Sequence, residues 1–95
     1  MITTDFYVIA YDIADDKRRL KVAKQLERLG DRVQHSVFEV YLTSKELERL
    51  LKRLKKLIDV KEDSIRVYYL CASCRGKIRM IGKALVTPPP GVRIV

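Results

Sequence analysis

The sequence predicts an α+β sandwich, two helices on one face of an antiparallel sheet, and three observations predict it. The run Phe6-Tyr7-Val8-Ile9-Ala10-Tyr11 is continuously apolar and β-rich, the pattern of a central strand buried on both faces. Two stretches with helical periodicity are separated by further β-rich segments. The chain has 95 residues, 47% of them apolar. That suits one small domain with a core and is too short for a (β/α)₈ barrel or a two-half dinucleotide fold. So small a core makes added burial in an oligomer favourable.

The elements follow in order. After the first strand ends at Asp12, Asp15 to Leu29 reads as a helix. Asp15 or Asp16 can cap it, and Gly30 sits where a left-handed residue ends a helix. Arg32 to Leu42 is rich in Val, Phe and Tyr. It is either one kinked strand or two short strands with a tight turn near Ser36. Thr43 and Glu46 form a capping box. Behind it Leu47, Leu50, Leu51, Leu54, Leu57 and Ile58 make a helical stripe. Asp63–Ser64 starts another strand, Ile65 to Cys71, and Lys77 to Leu85 is ambiguous. Pro88-Pro89-Pro90-Gly91 is a stiff extended spacer before a short terminal strand, Val92 to Val95.

The order is strand, helix, strand or hairpin, helix, strand, and two helices on one face of an antiparallel sheet give a ferredoxin-like α+β sandwich, βαββαβ with the hairpin. The expected division is a domain over 1–86, with a spacer and terminal strand over 87–95. Such a strand suits the edge of a neighbouring subunit better than its own sheet.

Charge narrows the function. Twenty Lys and Arg against twelve Asp and Glu give +8, with a pI near 9.7. Residues 64–95 carry six basic side chains (Arg66, Arg75, Lys77, Arg79, Lys83 and Arg93) and no acid. A polyanionic partner is the natural reading. Surface ion pairing of a thermostable protein explains high charge content but not an acid-free last third. No apolar run is long enough to span a membrane and no signal peptide is visible, so a cytoplasmic protein is expected. Scattered glycines form no phosphate loop, which argues against nucleoside-triphosphate chemistry.

Cys71-Ala72-Ser73-Cys74 is one C-x-x-C. Four zinc ligands are not at hand. A redox pair normally opens a helix, whereas Gly76 and a basic stretch follow here. Two small, mostly buried residues at a strand end is the expectation.

Asp12 stands at the end of the first strand, a common place for a site. A loop-capping role is equally open. With Asp15 and Asp16, three carboxylates fall within five residues, enough for a hard cation such as Mg²⁺. On the helical wheel Lys17, Lys21, Lys24 and Arg28 share one stripe with no acid four residues on. It is either a solvated face or a track for a phosphate backbone. Arg19 falls amid the apolar side of the first turn. It either pairs with an acid or a bound phosphate or snorkels past the helix end. His35 is the sole histidine and reads as a strand residue. Without a histidine pair, phosphodiester hydrolysis would need a metal-bound water.

The segments Tyr11-Asp12-Ile13-Ala14-Asp15-Asp16-Lys17-Arg18-Arg19, Lys21-Val22-Ala23-Lys24 and Gly30 through Glu39 resemble the Cas-two family of small CRISPR-associated adaptation proteins. Its specific motifs cover roughly the first 45 residues. The resemblance implies a ferredoxin-like homodimer whose two Asp12 copies face each other near a divalent metal, Mg²⁺ or Mn²⁺. It implies metal-dependent cleavage of single-stranded RNA or duplex DNA, and a complex with the Cas-one integrase in spacer acquisition. It carries a catalytic role to Asp12, Arg19 and Arg32, a metal-ligand role to Asp12, and site positions to Tyr11 and Phe38. Lys21 stands where some members carry a second arginine. Nucleic-acid contact is thus expected at Tyr11, Lys17, Arg19, Lys21, Lys24, Arg28, Arg32 and Phe38. The alternative function is a non-catalytic nucleic-acid scaffold bridging integrase dimers. A ribonuclease toxin of the same fold is a third reading.

Overall fold

The computed structural model describes residues 3–82. Strand β1 (Asp5–Asp12) leads into helix α1 (Asp16–Glu27), then β2 (Gly30–Gln34), β3 (Val37–Leu42), helix α2 (Ser44–Leu57), β4 (Ser64–Leu70) and a single helical turn, α3 (Ala72–Arg75). The sheet order is β2-β3-β1-β4, and every neighbouring pair is antiparallel. The βαββαβ α+β sandwich is therefore the ferredoxin-like fold. Residues 76–82 add no helix or strand. The Pro88–Pro90 spacer and the Val92–Val95 strand lie outside the described residues. Among the described residues, no helix is long and apolar enough to cross a membrane.

β1 is interior, between β3 and β4, but it is not covered on both faces. Both helices lie on one side. Tyr7, Ile9 and Tyr11 enter the core with Phe38, Val40 and Leu42 of β3, Val22, Ala23 and Leu26 of α1, and Leu50 and Leu54 of α2. Strand alternation turns Phe6, Val8, Ala10 and Asp12 to the opposite, helix-free face. There Phe6 is shielded by Tyr41 at 5.0 Å between ring centroids, and Val8 and Ala10 are half-buried. The continuous apolar run thus marks a two-sided strand with one side still uncovered.

Local chemistry explains the element ends. Asp15 is the cap of α1, its Oδ2 accepting from Arg18 N at 2.9 Å. That donor holds the Asp15 carboxyl below its ordinary pKa. The Thr43–Glu46 capping box forms as predicted, with bonds of 2.8 and 3.1 Å. Arg32–Leu42 resolves into two strands, with β2 starting earlier, at Gly30.

Gly30 does not take the left-handed conformation expected for a helix end. Helix α1 closes on Arg28 in right-handed geometry, and Gly30 is already in β2, opposite Val40. Its smallness serves close approach instead. A Cβ there would collide with the Glu39 carbonyl oxygen and the Val40 side chain.

Candidate active site

The end of β1, the start of α1 and the β2–β3 turn converge on one open cleft. Its walls are Tyr11, Asp12, Ile13, Arg19, Arg32, His35 and Ser36, and its volume is about 530 Å³. Pairing of β1 with β3 and of β3 with β2 brings Tyr11 and Arg32 together, and Arg19 arrives from the first turns of α1, which follows β1 directly. Tyr11 N donates to Ser36 O at 3.0 Å. The Tyr11 hydroxyl donates to His35 O at 3.0 Å. Arg32 adds two donors to that same carbonyl, Nε at 3.0 Å and Nη2 at 2.6 Å. The turn is thereby clamped against the strand end.

Asp12 is exposed at the lip of this cleft. Among the described residues, its carboxylate has no hydrogen-bond or ion-pair partner. The capping alternative is taken by Asp15, which leaves Asp12 available to a ligand. Strand alternation places it on the helix-free side of the sheet.

Of the readings open for Arg19, the pairing with an acid is the one the structure has. The Arg19 side chain is 43% exposed, and Nη1 pairs with Asp16 at 2.6 Å. Nε donates to Ile13 O at 3.2 Å and Nη2 to Ala14 O at 3.4 Å. The guanidinium therefore braces the loop directly after Asp12. Arg32 pairs with Glu27 at 3.3 Å across an exposed surface and lies 5.6 Å over the Phe38 ring. Phe38 in turn stacks on Tyr11 at 6.3 Å.

This layering corrects one expected contact. Phe38 is completely buried and Tyr11 is 5% exposed. Phe38 offers nucleic acid no surface of its own; its ring supports Arg32 from beneath. Lys17, Lys21, Lys24 and Arg28 do line an exposed row, and among the described residues none of them forms an ion pair. His35 belongs to the turn rather than to a strand, and it is the backbone carbonyl that acts.

An acid not singled out in the sequence anchors the site from behind. The Asp63 side chain is fully shielded from solvent. Its Oδ2 accepts from Arg18 Nε at 2.8 Å and Asp59 N at 2.9 Å. Its Oδ1 accepts from Ala14 N at 3.1 Å and Arg18 Nη2 at 3.2 Å. Arg18 Nη2 also reaches Glu62 at 3.2 Å. The Arg18 guanidinium is the main reason the Asp63 carboxyl titrates at about 2. The same pairing holds Arg18 above its ordinary value. One carboxylate thus ties the α2–β4 loop to the β1–α1 loop two residues beyond Asp12. Its only sequence signal was an acid directly before a strand, which many loops share.

The cysteine expectation is also revised. Cys74 is exposed and Cys71 half-exposed, and Cys71 caps the turn α3. The strand ends at the sheet's outer edge, where nothing among the described residues covers the pair.

Known proteins give the same alignment of features. The family model described as CRISPR associated protein Cas2 matches residues 5–78. A Synechocystis protein named CRISPR-associated endoribonuclease Cas2 3 is 47% identical over 94% of this chain and 97% of its own length. The crystal structure of Streptococcus pyogenes Cas2 superposes with a TM-score of 0.73 at 35% identity, covering 81% of this chain and 99% of that one. A chain from a partial Cas6-RT-Cas1–Cas2 complex does so with a TM-score of 0.69 at 32% identity, over 81% of this chain and 90% of that one. Matching fold, matching length and a family match that spans Asp12, Arg19 and Arg32 lead to one assignment: this chain belongs to the Cas2 family of CRISPR-associated proteins.

Proposed function

We propose that the chain works as a homodimer that cleaves nucleic-acid phosphodiesters with a divalent metal, alongside a Cas1 integrase in spacer acquisition. The observation that carries the catalytic part is the Asp12 carboxylate, without a partner among the described residues and exposed at a cleft flanked by two arginines. The relative named an endoribonuclease supports the chemistry, and the neighbour from a Cas1–Cas2 complex supports the partner.

The oxygen donors at the cleft suit Mg²⁺. Among the described residues, no group of three or more metal-ligating side chains exists. Mg²⁺ nevertheless keeps several waters and takes only one or two carboxylates from protein. Asp12 alone fits such a half-site, and two-fold symmetry would add a second Asp12. The helix-free face suits that symmetry. It carries Phe6, Val8 and Ala10 beside Tyr68, which is 48% exposed, and Asp12 lies at its end. When bound, the ion would lower the pKa of a water and stabilise charge at the reacting phosphate.

The protein's own groups bind and orient. Asp12 holds a negative charge at the lip. Arg32 can exchange its exposed Glu27 contact, at 3.3 Å, for a phosphate oxygen while keeping its hold on His35 O. Arg19 holds the loop carbonyl oxygens of Ile13 and Ala14 behind Asp12, so its contribution is position more than direct clamping. The row Lys17-Lys21-Lys24-Arg28 then tracks the flanking backbone.

A second reading has its own support. Arg19 and Arg32 already use their guanidinium donors internally, while the row Lys17-Lys21-Lys24-Arg28 forms no ion pair among the described residues. That combination favours a nucleic-acid scaffold in which cleavage is dispensable. Asp12→Asn separates the two. Cleavage of single-stranded RNA and duplex DNA in Mg²⁺ should fall about 100-fold or more. Nucleic-acid binding, circular dichroism and dimer mass should stay as in wild type. Wild-type cleavage by the purified variant, or cleavage that persists in EDTA, would leave the scaffold as the function.

A further inference from the structure

The Cys71–Cys74 pair is used by nothing in the proposed site, and the structure supplies the feature that the sequence lacked. The motif opens a helical turn. Cys71 leaves β4 in extended geometry, with φ −66° and ψ 167°, and caps the turn Ala72–Arg75. Cys74 N donates to Cys71 Sγ at 3.4 Å. Residues three apart on such a turn project to the same side, and this contact sets the Cys71 sulfur against the backbone of Cys74.

From this geometry we propose that Cys71 and Cys74 form a redox-active dithiol that closes to an intramolecular disulfide by exchange with a small-molecule or protein disulfide.

The local chemistry sorts the roles of the two sulfurs. The Cys74 backbone N–H, the Cys74 thiol and the Ser73 backbone favour the Cys71 thiolate and hold its pKa below the ordinary value. The same contact raises Cys74, which keeps its proton. The Cys71 thiolate attacks one sulfur of the incoming disulfide. A Cys71–sulfur bond forms, the incoming sulfur–sulfur bond breaks, and one thiolate leaves. Cys74 then loses its proton and attacks the Cys71 sulfur. The Cys71–Cys74 bond forms and the second thiolate leaves. The two cysteines are oxidised by two electrons, the incoming disulfide is reduced to two thiols, and the two protons go to those thiols.

Cys71 is half-exposed and Cys74 beside it is exposed, which gives the exchange partner an approach to the attacking sulfur. The same turn holds Arg75, whose Nη1 donates to the Tyr41 hydroxyl at 2.8 Å and whose guanidinium lies 5.5 Å over that ring. The bridge would therefore stiffen a turn that is docked on the helix-free face of the sheet.

The test uses the full chain, equilibrated with oxidised and reduced glutathione at a series of ratios, acid-quenched and alkylated with iodoacetamide. Both thiols should pass together from alkylated to protected, with a mass decrease of about 2 Da for the two lost hydrogens. Two single variants assign the roles, since serine keeps an oxygen cap on the turn. Cys74→Ser should trap glutathione on Cys71. Cys71→Ser should react at Cys74 at least about tenfold more slowly. Thiols that both stay alkylatable at the most oxidising ratio overturn the proposal, as do equal adduct rates in the two variants. Stoichiometric zinc that protects both thiols in reducing buffer also overturns it, in favour of a metal site.

Discussion

The Asp63 carboxylate accepts from four donors on three segments, and its titration follows from them. Its folded pKa is about 2 against an ordinary 3.8. A depressed carboxyl contributes stability that is complete above the ordinary value and is lost as pH falls through the folded one. Stability should therefore decline as pH drops from about 4 to about 2. Asp63→Asn should flatten that part of the profile and lower the midpoint at neutral pH, because it leaves the Arg18 guanidinium with its principal partner neutralised. Urea melts of both proteins at stepped pH values check this. An unchanged acid slope in the variant would assign the loss to other carboxylates. Arg18 and Arg19, adjacent in sequence, divide the work: one is tied to the α2–β4 loop and the other braces the loop behind Asp12.

Helix α2 is the element whose formation is most local. Its capping box satisfies two otherwise unpaired groups at the N-terminus. Its leucine stripe supplies Leu50 and Leu54, 0% and 1% exposed, to the core beneath Ile9 and Val40. Thr43→Ala should cost about 1 kcal/mol, and Leu54→Ala about 2–5 kcal/mol because a cavity remains. Denaturant midpoints with unchanged slopes measure both. Equal losses would mean that the core collapses around the smaller side chain. The β2–β3 hairpin is different in kind. It is held by side chains reaching its turn carbonyl as well as by its ladder, so Tyr11→Phe and Arg32 variants report on hairpin position as much as on substrate.

For the whole molecule, the net charge of +8 and the exposed basic row along α1 set the terms of the proposed nucleic-acid binding. The logarithm of affinity should fall linearly with the logarithm of salt, with a slope near −0.9 per phosphate neutralised on duplex DNA. Lys24→Glu together with Arg28→Glu should weaken binding uniformly across sequences. It should reduce the slope by about 2 per protomer if both residues meet phosphates. Anisotropy titrations from low to high salt supply the measurement. A slope that the double variant leaves unchanged would move the binding track off α1.

Local pattern alone determined the two helices, the cap and stripe of α2, the acidic start of α1 and the strands on either side, with the stretch before Leu42 open between one kinked strand and two and the cap of α1 open between Asp15 and Asp16. These depend on neighbours within a few residues, where periodicity and capping are direct physical signals. Only the tertiary structure decided how distant residues share their bonds. It placed Asp63 against Ala14 and Arg18, across more than forty positions of chain. It buried Phe38 completely beneath Arg32, and it gave Gly30 a role in close packing rather than in helix termination. It also put both helices on one side of β1, leaving the other apolar side open. A run of apolar residues reports how many faces a strand can bury. It does not report what covers each face, because that cover comes from remote segments or from a second chain.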